Sequence, residues 1–121
     1  MKLEEIVKVV DGEILIPPAR EVEFLQAFAA DLMSDVLVLA EPQMLMITGL
    51  INAQAIRTAE MADIPAIVFV RGKHPPEEML ELAREIGIGV LLSPYTMYET
   101  SGLLYVAGLA GLGKVPAVQQ R

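Results

Sequence analysis

The sequence predicts an α/β fold, a small and mostly parallel sheet with flanking helices, made of three consecutive βα units after an N-terminal helix and short strands. Three observations carry that prediction. Residues 44–47, 66–70 and 90–92 are continuous apolar runs about 22 residues apart, and runs apolar on both faces suit strands buried in a parallel sheet. A helix-like segment follows each run, at 52–62, at 76–86 and from 96 to about 109. Right-handed crossover connections require that alternation.

Taken in order, Leu3, Ile6, Val7 and Val10 recur at helical spacing, and Asp11-Gly12 ends this first helix with a turn. Residues 13–16 form a brief strand stopped by Pro17-Pro18. Val22, Phe24 and Phe28 alternate with Glu23 and Ala27, a pattern that favours a strand. Asp31 is placed to cap a helix running through Met33 and Val36 to about Ala40, which Glu41-Pro42 terminates. In the segment 76–86, Met79, Leu80, Leu82, Ala83 and Ile86 oppose Glu77, Glu81, Arg84 and Glu85. Pro75-Pro76 suits its start and Gly87 its end. Thr96 and Glu99 have capping-box spacing for the last helix.

A chain of 121 residues, 54% of them apolar, suffices for one hydrophobic core and excludes disorder. One domain over 1–112 is expected, with 113–121 as a flexible C-terminal tail. The absence of cysteine rules out disulfides and thiolate metal sites and points to a reducing, cytoplasmic compartment. Lys2, Glu4, Glu5 and Lys8 break up the first residues, so no secretory leader is expected. No run reaches the roughly 20 apolar residues of a membrane span. Sixteen acids against nine scattered bases leave a net charge of −7, which argues against direct nucleic-acid binding.

The chemistry-bearing residues are few. Gly108 to Lys114 has the spacing of a phosphate-binding loop, but Val115 stands where the magnesium-holding hydroxyl belongs, and the segment follows a helix. It reads as a glycine-rich helix exit. Asp31 and Asp35, four apart, would share a helix face beside Ser34, where acids also favour the helix dipole. His74, the single histidine, falls in a loop and reads as solvated. No G-x-S-x-G elbow occurs. In an open parallel sheet, ligands gather outside the carboxyl ends of the strands. Here those ends are Thr48-Gly49, Arg71-Gly72 and Ser93-Pro94, next to helix N-termini that favour anions. Met33, Met44, Met46, Met61, Met79 and Met97 read as core filler. Phe24, Phe28 and residues 103–112 form an apolar surplus for which a homodimer is the simplest outlet.

Asp31-Leu-Met-Ser-Asp-Val-Leu37, Ile47-Thr-Gly49, and Ala66 to Gly72 leading to Pro75 together resemble the DRTGG domain family. Ala83 to Tyr95, then Thr96, Tyr98 and Glu99, fit the same pattern. The five letters that name the family do not occur, and Arg71 stands where relatives often carry a glycine. Such domains occur alone or attached to phosphotransacetylases, HPr kinase-like proteins, and pyrophosphatases and regulators with CBS domains. The resemblance implies an accessory or regulatory module, often dimeric. Iron–sulfur binding, suggested by stand-alone members found near hydrogenase components, does not transfer to a chain without cysteine.

The expected function is therefore a non-catalytic regulatory or docking domain. It would be homodimeric, sensing an anionic metabolite, a nucleotide or another phosphorylated metabolite, or meeting a protein partner. The candidate ligand-binding residues are Asp31, Ser34, Thr48, Gly49, Arg71, Gly72, Ser93 and Thr96, with no cofactor, metal or membrane. The alternative is a small phosphate-ester hydrolase or transferase using Asp31, Asp35 and His74.

Overall fold

Every residue of the three central strands is buried, a condition that only helices on both faces of a sheet can meet. The computed structural model describes residues 1–115. In chain order it contains α1 (Leu3–Val9), β1 (Glu13–Ile16), β2 (Ala27–Ala29), α2 (Met33–Leu39), β3 (Leu45–Thr48), α3 (Ala53–Met61), β4 (Ala66–Phe69), α4 (Glu77–Ile86), β5 (Gly89–Leu92) and α5 (Met97–Val106). The sheet runs β1-β5-β4-β3-β2, with β2 to β5 parallel and β1 antiparallel on β5. The α/β fold read from the sequence is therefore present, enlarged by β2 as a fourth parallel strand.

Alternation along the strands divides the core in two. Leu45, Ile47, Val68 and Leu91 pack with Ile6 of α1, Val10 just after it, and Leu104 of α5. Met46, Ile67, Phe69, Val90 and Leu92 pack with Val36 of α2, Ile56 and Ala59 of α3, and Leu80 and Ala83 of α4. All three crossovers between parallel strands thus run over one face, and α1 and α5 cover the other. Four of the methionines, Met33, Met44, Met46 and Met79, are core filler as read, whereas Met61 lies on the surface.

Four local readings need correction. The alternating segment from Val22 to Phe28 is a strand only at Ala27–Ala29. Phe24 is not surplus; it is fully buried beneath α1, with its N–H bonded to the Met1 carbonyl at 2.8 Å. Nor does Asp31 cap α2. Leu32 is the N-cap and provides no side-chain bond. At the other end, α5 stops at Val106 rather than near 109, and Gly108 turns the chain with φ +109°. The Ala110 carbonyl then accepts from Ala27 N–H at 2.9 Å, so the glycine-rich helix exit lies along the β2 edge. The expected flexible tail falls largely on residues 116–121, outside the described residues. Among the described residues, no helix is long and apolar enough to cross a membrane.

Gly87 and Gly102 make opposite predictions. Gly87 ends α4 at φ +90°, and a Cβ there would stand 2.8 Å from Ala19 Cβ. Gly87→Ala should lower stability by about 1–2 kcal/mol, the cost of a left-handed residue. Gly102 lies inside α5, facing open space. Gly102→Ala should raise stability by about 0.5–1 kcal/mol. Denaturant unfolding of the two variants checks both signs.

Candidate functional site

Because β2 to β5 are parallel, their exits converge at one end of the sheet. Beyond β2, Ala30 N–H bonds the Ile47 carbonyl at 3.0 Å, and this carries the next residue, Asp31, to the exit of β3. Asp31 Oδ1 accepts two bonds there, from Thr48 Oγ1 at 3.1 Å and from Gly49 N–H at 2.8 Å. The buried Thr48 hydroxyl oxygen also accepts from Leu50 N–H at 3.1 Å. A carboxylate takes such charge-assisted bonds readily. This longer-range pairing replaces the helix cap.

At the exit of β4 the backbone turns through two consecutive left-handed residues, Arg71 at φ +66° and Gly72 at φ +63°. For glycine this conformation is free; for arginine it is strained and must be held by its surroundings. Two backbone bonds hold it. Arg71 N–H reaches the Tyr95 carbonyl at 2.7 Å, and Gly72 N–H reaches the Ser93 carbonyl at 2.8 Å. The Arg71 side chain is thereby directed back across the exit of β3. A Cβ built on Gly49 would lie 3.5 Å from Arg71 Nη2 and 3.5 Å from Asp31 Oδ1. Among the described residues, ion pairs join the Met1 ammonium to Glu23, Arg57 to Glu60, and Arg84 to Glu77. Arg71 takes part in none of them.

The exit of β5 is braced from below. The buried Ser93 hydroxyl lies 2.7 Å from that of Thr100, in the first turn of α5, and accepts from Tyr95 N–H at 3.2 Å. Thr96 caps α5 as read, accepting from Glu99 N–H at 3.5 Å. Of the candidates, Asp31, Thr48, Gly49 and Arg71 thus come together, while Gly72 and Ser93 fix the turn that aims Arg71. Thr96 serves the helix, and Ser34 is exposed on the first turn of α2.

Asp35 belongs to α2 and Asp31 precedes it, so the shared helix face expected for that pair does not form. His74 is exposed, its Nδ1 3.0 Å from the Pro75 carbonyl. No group of three or more His, Cys, Asp or Glu side chains suited to a metal occurs among the described residues. A cavity of about 710 Å³ opens elsewhere, between the start of α1 and the 17–24 segment. Its rim mixes Lys2 and Arg20 with Glu4, Glu21 and Glu23, and none of the eight candidates lines it.

The DRTGG domain matches residues 5–106 of this sequence. The chain belongs to the DRTGG domain family. No curated protein matches it. Among solved structures it is similar to the CBS and DRTGG domains of the regulatory region of Clostridium perfringens pyrophosphatase, complexed with the activator diadenosine tetraphosphate. That likeness has a TM-score of 0.74 at 19% identity and covers 89% of this chain. The chain spans about half of its neighbour, 47%. At this identity the likeness establishes the fold.

Within this DRTGG domain, residues outside the eight candidates also shape the site. Tyr95 holds the Arg71 turn, Thr100 holds Ser93, and Asn52 caps α3 just beyond Gly49, accepting from Gln54 N–H at 2.9 Å. Asn52 was legible as a capping residue before a helix. Thr100, four residues after Thr96, carried only the spacing that puts both on one turn.

Thr48→Val keeps the shape of a buried strand residue while removing the hydroxyl that joins Asp31 to Leu50. It should destabilise the domain by about 1–2 kcal/mol, because the groups it leaves have lost their partner. Urea unfolding measures the loss.

Proposed function

We propose that this DRTGG domain is a non-catalytic regulatory module that senses an anionic metabolite or nucleotide at the strand exits. The observation that carries the reading is Arg71. It adopts a strained backbone, held by two bonds to the β5 exit, and its guanidinium is directed over Gly49 without an ion-pair partner among the described residues. Strain of this kind gathers at binding sites, and a guanidinium fork matches phosphate. In an otherwise acidic chain, such a cation gives anions a local point of attachment. The topology favours the same end of the sheet, since ligands of open α/β sheets gather outside the carboxyl ends of the parallel strands, where Gly49 and Arg71 lie. That the solved neighbour carries a dinucleotide activator makes adenine nucleotides the first ligands to try. The hydrolase alternative has lost one premise, the shared helix face of Asp31 and Asp35.

The module is, on this reading, a homodimer formed through α5. Tyr98, Tyr105 and Val106 are 87%, 71% and 88% exposed, and Leu103 adds to their face. Glu99 is the one charged residue of α5. Two copies of a molecule with net charge −7 can meet there with little like-charge repulsion.

Thermal unfolding with a panel of adenine nucleotides tests the sensor. A ligand at 100 times its Kd should add about 2.7 kcal/mol, and Arg71→Ala should remove the shift. No shift with any nucleotide or phosphorylated metabolite would end this reading. For the dimer, light scattering should give twice the chain mass at micromolar concentration, and Tyr105→Glu should return it to one chain. A wild-type mass of one chain would refute it.

A further inference from the structure

The strand-exit site carries a negative group as well as a positive one, and this narrows what it can accept. Asp31 and Arg71 border the same small space above Gly49, each 3.5 Å from the point where a Cβ would stand. They form no ion pair: Asp31 is held by Thr48 and Gly49, while the bonds to Tyr95 and Ser93 hold the backbone of the Arg71 turn. Asp31 uses Oδ1 for both of its bonds, which leaves Oδ2 to accept from a ligand. Gly49 N–H, the donor a phosphate would otherwise take at this exit, is already occupied by Asp31. An anion with no donor of its own therefore meets one fork of N–H groups and one fixed carboxylate.

We infer that Asp31 and Arg71 form a two-point reader for a hydroxylated phosphate ester, a nucleotide or sugar phosphate. Arg71 takes the phosphate, and Asp31 Oδ2 accepts a hydrogen bond from a sugar hydroxyl. This rests on the sensing role proposed above and adds a selectivity to it: the carboxylate rewards a ligand that brings a hydroxyl and repels a bare polyanion. Gly49 is what keeps the space open. Its φ lies outside the left-handed region, and a Cβ would make only ordinary contacts, so alanine there would fill the gap without straining the backbone.

The test is calorimetric titration of the whole chain, free of magnesium, with ATP, its 2′,3′-dideoxy analogue and inorganic tripolyphosphate. ATP should bind about tenfold tighter than the other two, the effect of one hydrogen bond to a charged group. Asp31→Asn keeps an oxygen for Thr48 and Gly49 but replaces the free acceptor by an amide donor. It should weaken ATP about tenfold and strengthen tripolyphosphate, reversing the order of preference. Gly49→Ala, with an unchanged melting temperature, should weaken all three. Equal binding of ATP and tripolyphosphate, unmoved by Asp31→Asn, would overturn the two-point reader while leaving anion sensing in place. Binding of none of the probes would count against the sensing role itself.

Discussion

Burial of β3, β4 and β5 on both faces is the constraint from which the rest follows. Strands so enclosed have no room for an unsatisfied polar group, so their side chains are apolar until the last residue. Thr48 is that last residue of β3, and Ser93 follows directly after β5; both are fully buried, and both are hydrogen-bonded. The chemistry of the domain is therefore displaced to the exits. There the backbone leaves the ladder, and polar groups can find either a partner or solvent.

What happens at those exits depends on the face each crossover takes. Three helices on one face and two on the other make the β4–β5 boundary the place where neighbouring chains part. Such a parting ordinarily leaves an open crevice. In this molecule the Arg71–Gly72 turn reaches across it and bonds the β5 exit twice, so the gap is bridged by backbone. The arginine side chain is consequently sent the other way, over β3, where Asp31 already lies. Glycine at position 71 would give the same turn without strain. The side chain is what arginine adds in return, and that is the physical case for its having a role.

The parts of this arrangement legible in the sequence are those set by local rules. Continuous apolar runs, a proline before α4, Gly87 after it and Thr96 before α5 each act within a few residues, and each was readable. Asp31 was misread because a local rule competes with a distant one. A carboxylate before a helix normally caps it, but the parallel pairing of β2 with β3 brings Thr48 and Gly49 within reach, 17 and 18 residues away. Phe24 failed as a strand signal for a similar reason. Alternation shows that one side of a segment is buried, and a plug beneath a helix satisfies it as well as a strand does. The left-handed turn at Arg71 had no local signal beyond the glycine that follows it, since the bonds imposing it come from β5. Convergence of the site was visible as topology, as a set of exits, but its pairings were not.

Helix α5 gives these separate features a common structural element. Its first turn is tied to the β5 exit through Thr100 and Ser93, and the same exit supplies the carbonyls that hold the Arg71 turn. Its inner side enters the core through Leu104, while its outer side carries the exposed Tyr98, Tyr105 and Val106. A helix apolar on both sides is ordinarily buried on both. A second copy on the outer face, as proposed, would complete that burial one helix away from the Arg71 turn. The Ser93–Tyr95 segment is bonded to both the Arg71 turn and α5. In the proposed reading, what joins the ligand turn to the partner face is therefore a buried hydroxyl pair 2.7 Å apart, between Ser93 and Thr100.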